Sequence, residues 1–368
     1  MNELLIKISN YEDVFIFGYG NVGRNIFEQL IKDDISAKIW FCDNYRHAEK
    51  YRGVDILSPE DAFNKKPNAL FIIGSIIYYR PMLDQLRALG VQENNIYTQW
   101  VQTKSRMEQR QYITHLPYHL TEHCNLKCAG CFHFSNVAKE QFADPDVFKE
   151  TLTRFVDVMG NAFRGSLFLY GGEPLLHPLI EQFITYAHEI ISDRVTYVIT
   201  NGILLTKMPD RFWRTCAKSN VHIAISGYPI DLDKEKIRAL ADKHGVCFSI
   251  ASRDMGAWSQ YVLDLSGTQD IEKSFTNCEN ANECFIMKGR NLYPCSVTAC
   301  IEHFNMAFDQ SLELGCDDYL DLFTDITSDD VLSFVSKPVP FCRYCNRSEL
   351  KRGQTWKRSE FVIDEYLA

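Results

Sequence analysis

Val14–Phe17 is a short apolar run that stops at Gly18, as a buried strand does, and Val22, Ile26, Phe27, Leu30 and Ile31 follow at helical spacing. Ala37–Cys42 reads as a second strand ending at Asp43, and Ala69–Ile73 as a third. Met82–Leu89 reads as a further helix stopped by Gly90. Strands alternating with helices predict parallel βαβ units and an open α/β sheet over residues 1–105. The polar stretch 101–112 breaks that pattern and is expected to be a linker. A second series then begins. Tyr118–Thr121, Ser166–Tyr170, Val195–Thr200, Val221–Ser226 and Cys247–Ile250 have strand character. Phe148–Met159, Leu179–Ile191 and Lys234–His244 have helical character between them. Such alternation over 113–265 is what a full or partial β/α barrel shows. Residues 266–350 carry short strands, turns and cysteines, and 351–368 form a charged tail.

Composition narrows the class. The 368 residues hold 48 acidic and 39 basic side chains, a net charge of −9, with 46% hydrophobic residues. That is ordinary globular composition, so disorder and coiled coil are excluded. A wholly basic surface for nucleic acid is excluded too, and no nucleic-acid partner is expected. The best apolar stretch, Ala69–Tyr79, falls short of the ~18 residues a membrane span needs and contains Gly74 and Ser75. The start, MNELLIKISNYED, has no apolar core of signal-peptide length. The expectation is a soluble, cytoplasmic chain without a membrane span. In that compartment thirteen cysteines, an odd number, point to metal rather than to disulfides.

Their placement is uneven. Cys124-Asn-Leu-Lys-Cys128-Ala-Gly-Cys131 puts three thiols in eight residues, directly after the first strand of the second series. Three thiolates ligate three irons of a cubane cluster and leave the fourth open. A zinc loop wants four ligands at other spacings, and three unrelated buried cysteines are the plainest alternative.

C-x3-C-x2-C in this position resembles the signature of the radical S-adenosylmethionine (radical SAM) enzymes. The later motifs agree in order: Tyr170-Gly171-Gly172-Glu173-Pro174 ends the second strand, Thr200-Asn201-Gly202 the third, and Ile225-Ser226-Gly227-Tyr228 the fourth. The resemblance implies a partial (β/α)6 barrel and a 4Fe–4S cluster on Cys124, Cys128 and Cys131. It implies that SAM chelates the open iron and is cleaved reductively to a 5′-deoxyadenosyl radical, which takes hydrogen from a substrate. It further implies that Gly171, Gly172, Glu173 and Pro174 receive the methionine amine, that Asn201 and Ser226 contact the methionine or ribose, and that a flavodoxin or ferredoxin supplies electrons. One departure stands out. Many members carry an aromatic residue just before the third cysteine; here it is Gly130, and Phe132 follows instead. His119, His123 and His133 bracket the loop and could tune it or be ordinary hydrogen-bonded residues.

Seven cysteines lie beyond the barrel series: Cys278, Cys284, Cys295, Cys300, Cys316, Cys342 and Cys345. Phe285–Lys288 and Leu292–Pro294 flank Gly289-Arg290 like a β-hairpin. The region resembles the auxiliary-cluster extensions of radical SAM enzymes, the SPASM and shorter twitch types. No cysteine follows Cys345, which favours the twitch form, with one additional 4Fe–4S cluster on Cys278, Cys295, Cys342 and Cys345. Cys284 competes with Cys278, and a closed zinc site competes with the cluster. Cys42, Cys216 and Cys247 read as small core residues, Cys300 and Cys316 stay unassigned, and the acidic run Asp317–Asp330 reads as a solvated face.

Gly18-Tyr-Gly20-Asn-Val-Gly23 lies between strand and helix, with Asp43 twenty positions after Gly23. This is the dinucleotide-binding fingerprint. The first domain resembles small Rossmann-like domains on sugar-modifying acyltransferases. Three readings stay open: a nucleotide or nucleotide-sugar, NAD, or a loop kept as a structural turn. The expected whole is an α/β chain with a small Rossmann-like parallel sheet, a radical SAM barrel and a cysteine-rich auxiliary-cluster domain. Its expected substrate is a small molecule, a nucleotide-linked sugar or a polyol. A peptide-modifying maturase, a non-catalytic iron–sulfur or zinc module and an NAD oxidoreductase are the alternatives.

Overall fold

The computed structural model describes residues 2–33, 35–74, 79–97, 111–251, 258–278, 280–347, 349 and 351–367. The chain divides into two compact units, Met1–Arg106 and Met107–Ala368. The linker expected over 101–112 lies, apart from its last two residues, outside the described residues.

In the first unit, β1 (Asp13–Phe17), β2 (Lys38–Cys42), β3 (Lys50–Tyr51), β4 (Val54–Leu57), β5 (Leu70–Ile73) and β6 (Ile96–Tyr97) form a sheet of order β3-β4-β2-β1-β5-β6. All pairings are parallel except β3 with β4. Every residue of β1 and β5 is buried, which is why both read as unbroken apolar runs rather than alternating ones. Val14 and Ile16 pack with Leu4, Phe27 and Leu30 of helices Asn2–Ile8 and Asn21–Lys32. Phe15, Phe17 and Phe71 pack with Ala62, Met82 and Leu86 of helices Pro59–Lys65 and Tyr79–Ala88. The sheet is thus covered on both faces. After β1 the chain builds outward to β2 on one side and later to β5 on the other. That reversal makes the ends of β1 and β5 a topological switch point.

The second unit opens with β7 (Ile113–His119), β8 (Phe163–Tyr170), β9 (Thr196–Thr200), β10 (Val221–Ile225) and β11 (Cys247–Ile250), parallel and adjacent in that order. Helices Pro145–Met159, Ile180–Ile190, Asp210–Lys218 and Lys234–His244 connect them. The third helix was not foreseen from sequence. It is short, and only Phe212, Trp213 and Cys216 anchor it. Leu116, Leu167, Leu169, Val198 and Ile223 are buried beneath the helices. The opposite face carries a row of rings. Phe168 stacks on Tyr197 at 4.8 Å, Tyr197 lies 5.1 Å from His222, and His222 Nε2 is 2.8 Å from Ser249 Oγ.

The remaining strands are β12 (Trp258–Gln260), β13 (Ile286–Lys288), β14 (Asn291–Tyr293), β15 (Leu320–Asp321) and β16 (Lys351–Gln354). Here the expected (β/α)6 count changes. Among the described residues the parallel series has five strands and four helices, and its free edge at β7 is taken by β13, in parallel register at Met287↔Tyr118. The expected hairpin follows, β13 to β14 through Gly289-Arg290, with β15 beyond it. An open strand edge presents unpaired backbone groups, and the hairpin satisfies them. The segment after 265 is therefore continuous with the barrel sheet. No helix among the described residues is long and apolar enough to cross a membrane.

Candidate functional site

All four motifs of the second series sit at the carboxyl ends of β7–β10, where parallel α/β sheets place their chemistry. The loop after β7 carries the first three cysteines. Cys128 is buried, and Cys124 and Cys131 are half-buried. Hydrogen-bond donors surround the sulfurs. Leu126 N lies 3.4 Å from Cys124 Sγ, and Trp356 Nε1 donates to Cys128 Sγ at 3.2 Å. Tyr228 also bonds Cys128, and the backbone N–H groups of Ser135, His133 and Phe134 face Cys131. Burial, then neighbouring groups, pushes the thiols up, to about 11 for Cys124 and about 12 for Cys128. A bare thiolate is disfavoured there; a metal centre removes the proton outright. Three thiols from one loop, ringed by donors, fit a cluster whose potential is set by hydrogen bonds to sulfur.

The glycine motif packs against this loop. A side chain on Gly171, at φ +147°, would come 2.7 Å from Thr121 O, and one on Gly172 would overlap His123 O. Gly172 N donates to Thr121 O and Glu173 N to His123 O. The bare faces of these two glycines receive the cysteine loop's own backbone. Glu173 is 1% exposed. Its Oε1 accepts from Thr200 Oγ1 at 2.6 Å and Leu175 N at 3.1 Å, and its Oε2 from Asn201 N at 2.9 Å. The carboxylate expected at SAM is thus also the pin joining β8 to β9, and burial lifts its pKa to about 7. Pro174 is buried and starts a short 3-10 turn. Asn201 Nδ2 donates to Asn125 Oδ1 at 2.8 Å and lies 3.8 Å from Cys124 Sγ. Ser226 ends β10, its N–H bonded to Thr200 O.

The charged tail is not free. Ala129 N donates to Lys357 O, Ser359 N to Lys127 O, and Tyr366 Oη to Asn136 Oδ1. Gly130, at φ +61°, lies under this cover: a Cβ would stand 2.7 Å from Gln260 Cγ and 2.9 Å from Glu365 O. An aromatic residue before Cys131 has no room, which accounts for the departure noted above. Trp356, at the first cysteines, carried no motif and could not be found from sequence.

In the same unit, Cys278, Cys295, Cys342 and Cys345 line one small cavity together with Phe275, Phe341 and Arg347. Cys284 and Cys316 are exposed and do not line it. Burial pushes the Cys345 thiol to about 12, opposed by Arg347, which bonds it. Arg347 is buried, stacks on Tyr261 at 4.2 Å, and its Nε has no hydrogen-bond partner among the described residues. Four thiols with one buried cation fit a closed thiolate site, for a cluster or for zinc. A buried polar group joins this region to the first loop. Glu122 accepts from Lys288 Nζ at 2.9 Å and faces His303 Nε2. Burial opposes its ionisation, but His119, His303 and Lys288 outweigh burial and hold the carboxyl well below its usual range.

In the first unit, a Cβ on Gly23 would overlap Gly18 O, and one on Gly18 would stand 3.3 Å from Gly74 O. Gly18 and Gly23 thus close the switch point by backbone contact. At Gly20 a Cβ would meet nothing within 4 Å. Asp43, expected at a ribose, is engaged locally: Oδ2 accepts from Tyr19 N at 2.8 Å, and Oδ1 from Tyr45 N and Arg46 N.

Residues 118–290 match the model of the Radical SAM superfamily. The matched stretch, from β7 to the β13–β14 hairpin, is similar to that superfamily, whose members work with a 4Fe–4S cluster and SAM. Two curated relatives are molybdenum cofactor biosynthesis protein 1 of Dictyostelium discoideum and an S-adenosylmethionine-dependent nucleotide dehydratase of Fibrobacter sp. (strain UWH6). The first is 25% identical over 280 residues, 70% of this chain and 40% of its own. The second is 37% identical over 91 residues, 23% of this chain and 26% of its own. The chain therefore spans less than half the length of either relative. Among solved structures, BtrN in complex with AdoMet and 2-DOIA aligns at TM-score 0.40 and 17% identity, over 65% of this chain and 94% of that one.

Proposed function

We propose that the chain cleaves SAM reductively and takes a hydrogen atom from a small molecule, a nucleotide-linked sugar or a polyol, in surface polysaccharide or related small-molecule biosynthesis. The observation that carries the reading is the convergence of the three-cysteine loop with Gly171–Pro174, Asn201 and Ser226 at the ends of four adjacent parallel strands. Cys124, Cys128 and Cys131 hold the first 4Fe–4S cluster, which supplies one-electron chemistry with SAM. The chain's own residues orient this centre: Trp356 and Asn201 approach the sulfurs, and Glu173 pins the glycine turn to the end of β9.

Cys278, Cys295, Cys342 and Cys345 hold a second, twitch-type 4Fe–4S cluster. Their shared cavity favours Cys278 over the exposed Cys284. Residues 1–105 are then a nucleotide-recognising Rossmann-like domain, 113–265 the catalytic barrel and 266–350 the auxiliary-cluster segment, with a flavodoxin or ferredoxin as electron donor. Gly20, open above a helix N-terminus, suits a diphosphate. The relative named as a nucleotide dehydratase supports a nucleotide-bearing substrate.

The test is anaerobic reconstitution followed by reduction. 5′-Deoxyadenosine should form from SAM, and not when Cys124, Cys128 and Cys131 are all changed to Ala. Undiminished cleavage in that variant would sink the reading. Calorimetric titration with UDP- and dTDP-sugars tests the substrate class. Modification of a peptide, with no nucleotide-sugar bound, would replace it.

A further inference from the structure

We propose that His119, His133 and Cys300 form a mononuclear site for a borderline divalent metal ion, zinc first, separate from both cysteine sets. The three side chains come from the end of β7, from the loop after Cys131 and from helix Ser296–Phe308, and all three are buried. One nitrogen or sulfur atom of each lies within 4.8 Å of the other two. His119 Nε2 is 3.6 Å from Cys300 Sγ. Tetrahedral zinc, with Zn–N of about 2.0–2.1 Å and Zn–S of about 2.3 Å, sets neighbouring N and S donors roughly 3.5 Å apart. The pair already has that spacing.

The other nitrogen of His119 strengthens the case. His119 Nδ1 lies 3.4 Å from Glu122 Oε1. The pair is an ion-pair contact without hydrogen-bond geometry, and it sets a carboxylate behind the ring whose far nitrogen faces Cys300. Glu122 is itself held by Lys288, so this backing is rigid. Among the described residues His133 Nδ1 is buried without a hydrogen-bond partner, a costly state that a ligand on that nitrogen would relieve.

The nearby Lys288 ammonium does not forbid a cation, because it is 2.9 Å from Glu122 and 2.8 Å from Glu302. Two imidazoles and one thiolate select zinc over magnesium or calcium. Three protein donors leave one tetrahedral position for water or a substrate oxygen. Tyr170, the residue before the glycine motif, stands beside the site, its ring 5.3 Å from that of His133.

The test uses full-length protein with its iron–sulfur sites reconstituted, offered zinc and then freed of loose metal by a chelator. Wild type should retain one zinc per chain. Cys300→Ala and His119→Ala should each lose it with iron content unchanged. X-ray absorption at the zinc edge of wild type should show one sulfur and two imidazole nitrogens, a readout that stands even if a variant fails to fold. No retained zinc, zinc among four sulfurs, or zinc kept by both variants would each overturn the site and leave a plain His–Cys hydrogen bond.

Discussion

Changing Glu173 to Gln tests whether this carboxyl is mainly a pin between strands. It accepts three hydrogen bonds, from Thr200 Oγ1, Leu175 N and Asn201 N. A protonated Glu keeps all three contacts by reversing the bond to the Thr200 hydroxyl. A Gln cannot: whichever way the amide lies, its NH2 faces Leu175 N or Asn201 N. One buried N–H is then orphaned, at a cost of about 1–3 kcal/mol. The pH dependence follows from burial, which raises the Glu173 pKa from 4.5 to about 7 against the three donors. A carboxyl raised in the folded state contributes its full stability below 4.5 and loses it as pH climbs through about 7. That loss amounts to about 3 kcal/mol at most. Denaturant unfolding of reduced, cluster-free protein should therefore show wild type more stable than Glu173→Gln near pH 5, with the gap closing by about pH 8. A gap that widens with pH would mean that the folded state favours the carboxylate, and the reasoning would be wrong.

Three further outcomes follow from the same geometry. Gly130→Ala places a Cβ against Gln260 and Glu365 O in a left-handed conformation costing about 1–2 kcal/mol by itself. Limited proteolysis should then cut residues 351–367 faster, and equal rates would show that the tail does not rest on the loop. Arg347→Gln removes the buried cation beside Cys345, so the proposed second cluster should become harder to reduce by about 59 mV or more, a tenfold change for one electron. An unchanged potential in EPR-monitored titration would remove that role. Cys278→Ala should lose the second cluster's iron and Cys284→Ala should keep it; the reverse pattern would exchange the two ligands.

Much of the site was legible because its residues are local to strand ends. Cys124–Cys131, Gly171–Pro174, Asn201 and Ser226 each follow a strand whose apolar pattern is plain, so parallel order alone brings them to one edge. The hairpin at Gly289 was legible for the same reason. What failed to show were contacts between distant parts of the chain. Asp43, expected at a ribose, accepts from Tyr19 N, 24 positions earlier, as well as from Tyr45 N and Arg46 N in its own turn. Among the described residues the edge of β7 is claimed by β13, from 169 positions away, through a single register pair, Met287↔Tyr118.

The tail was the hardest part to read. Its charge reads as solvation, but Trp356 reaches Cys128 across 228 residues and Tyr366 reaches Asn136 across 230. Such contacts carry a loop-closure cost that grows only slowly with length, so nothing in local composition needs to announce them. They carry a consequence. The loop that holds the first three cysteines borrows backbone partners from Lys357 and Ser359, and its buried sulfur at Cys128 takes a donor from Trp356. Without residues 356–359, Ala129 N would lose its bond to Lys357 O and Cys128 the donor from Trp356, keeping that of Tyr228. The first site is therefore completed by the end of the chain, although every one of its motifs lies in the middle.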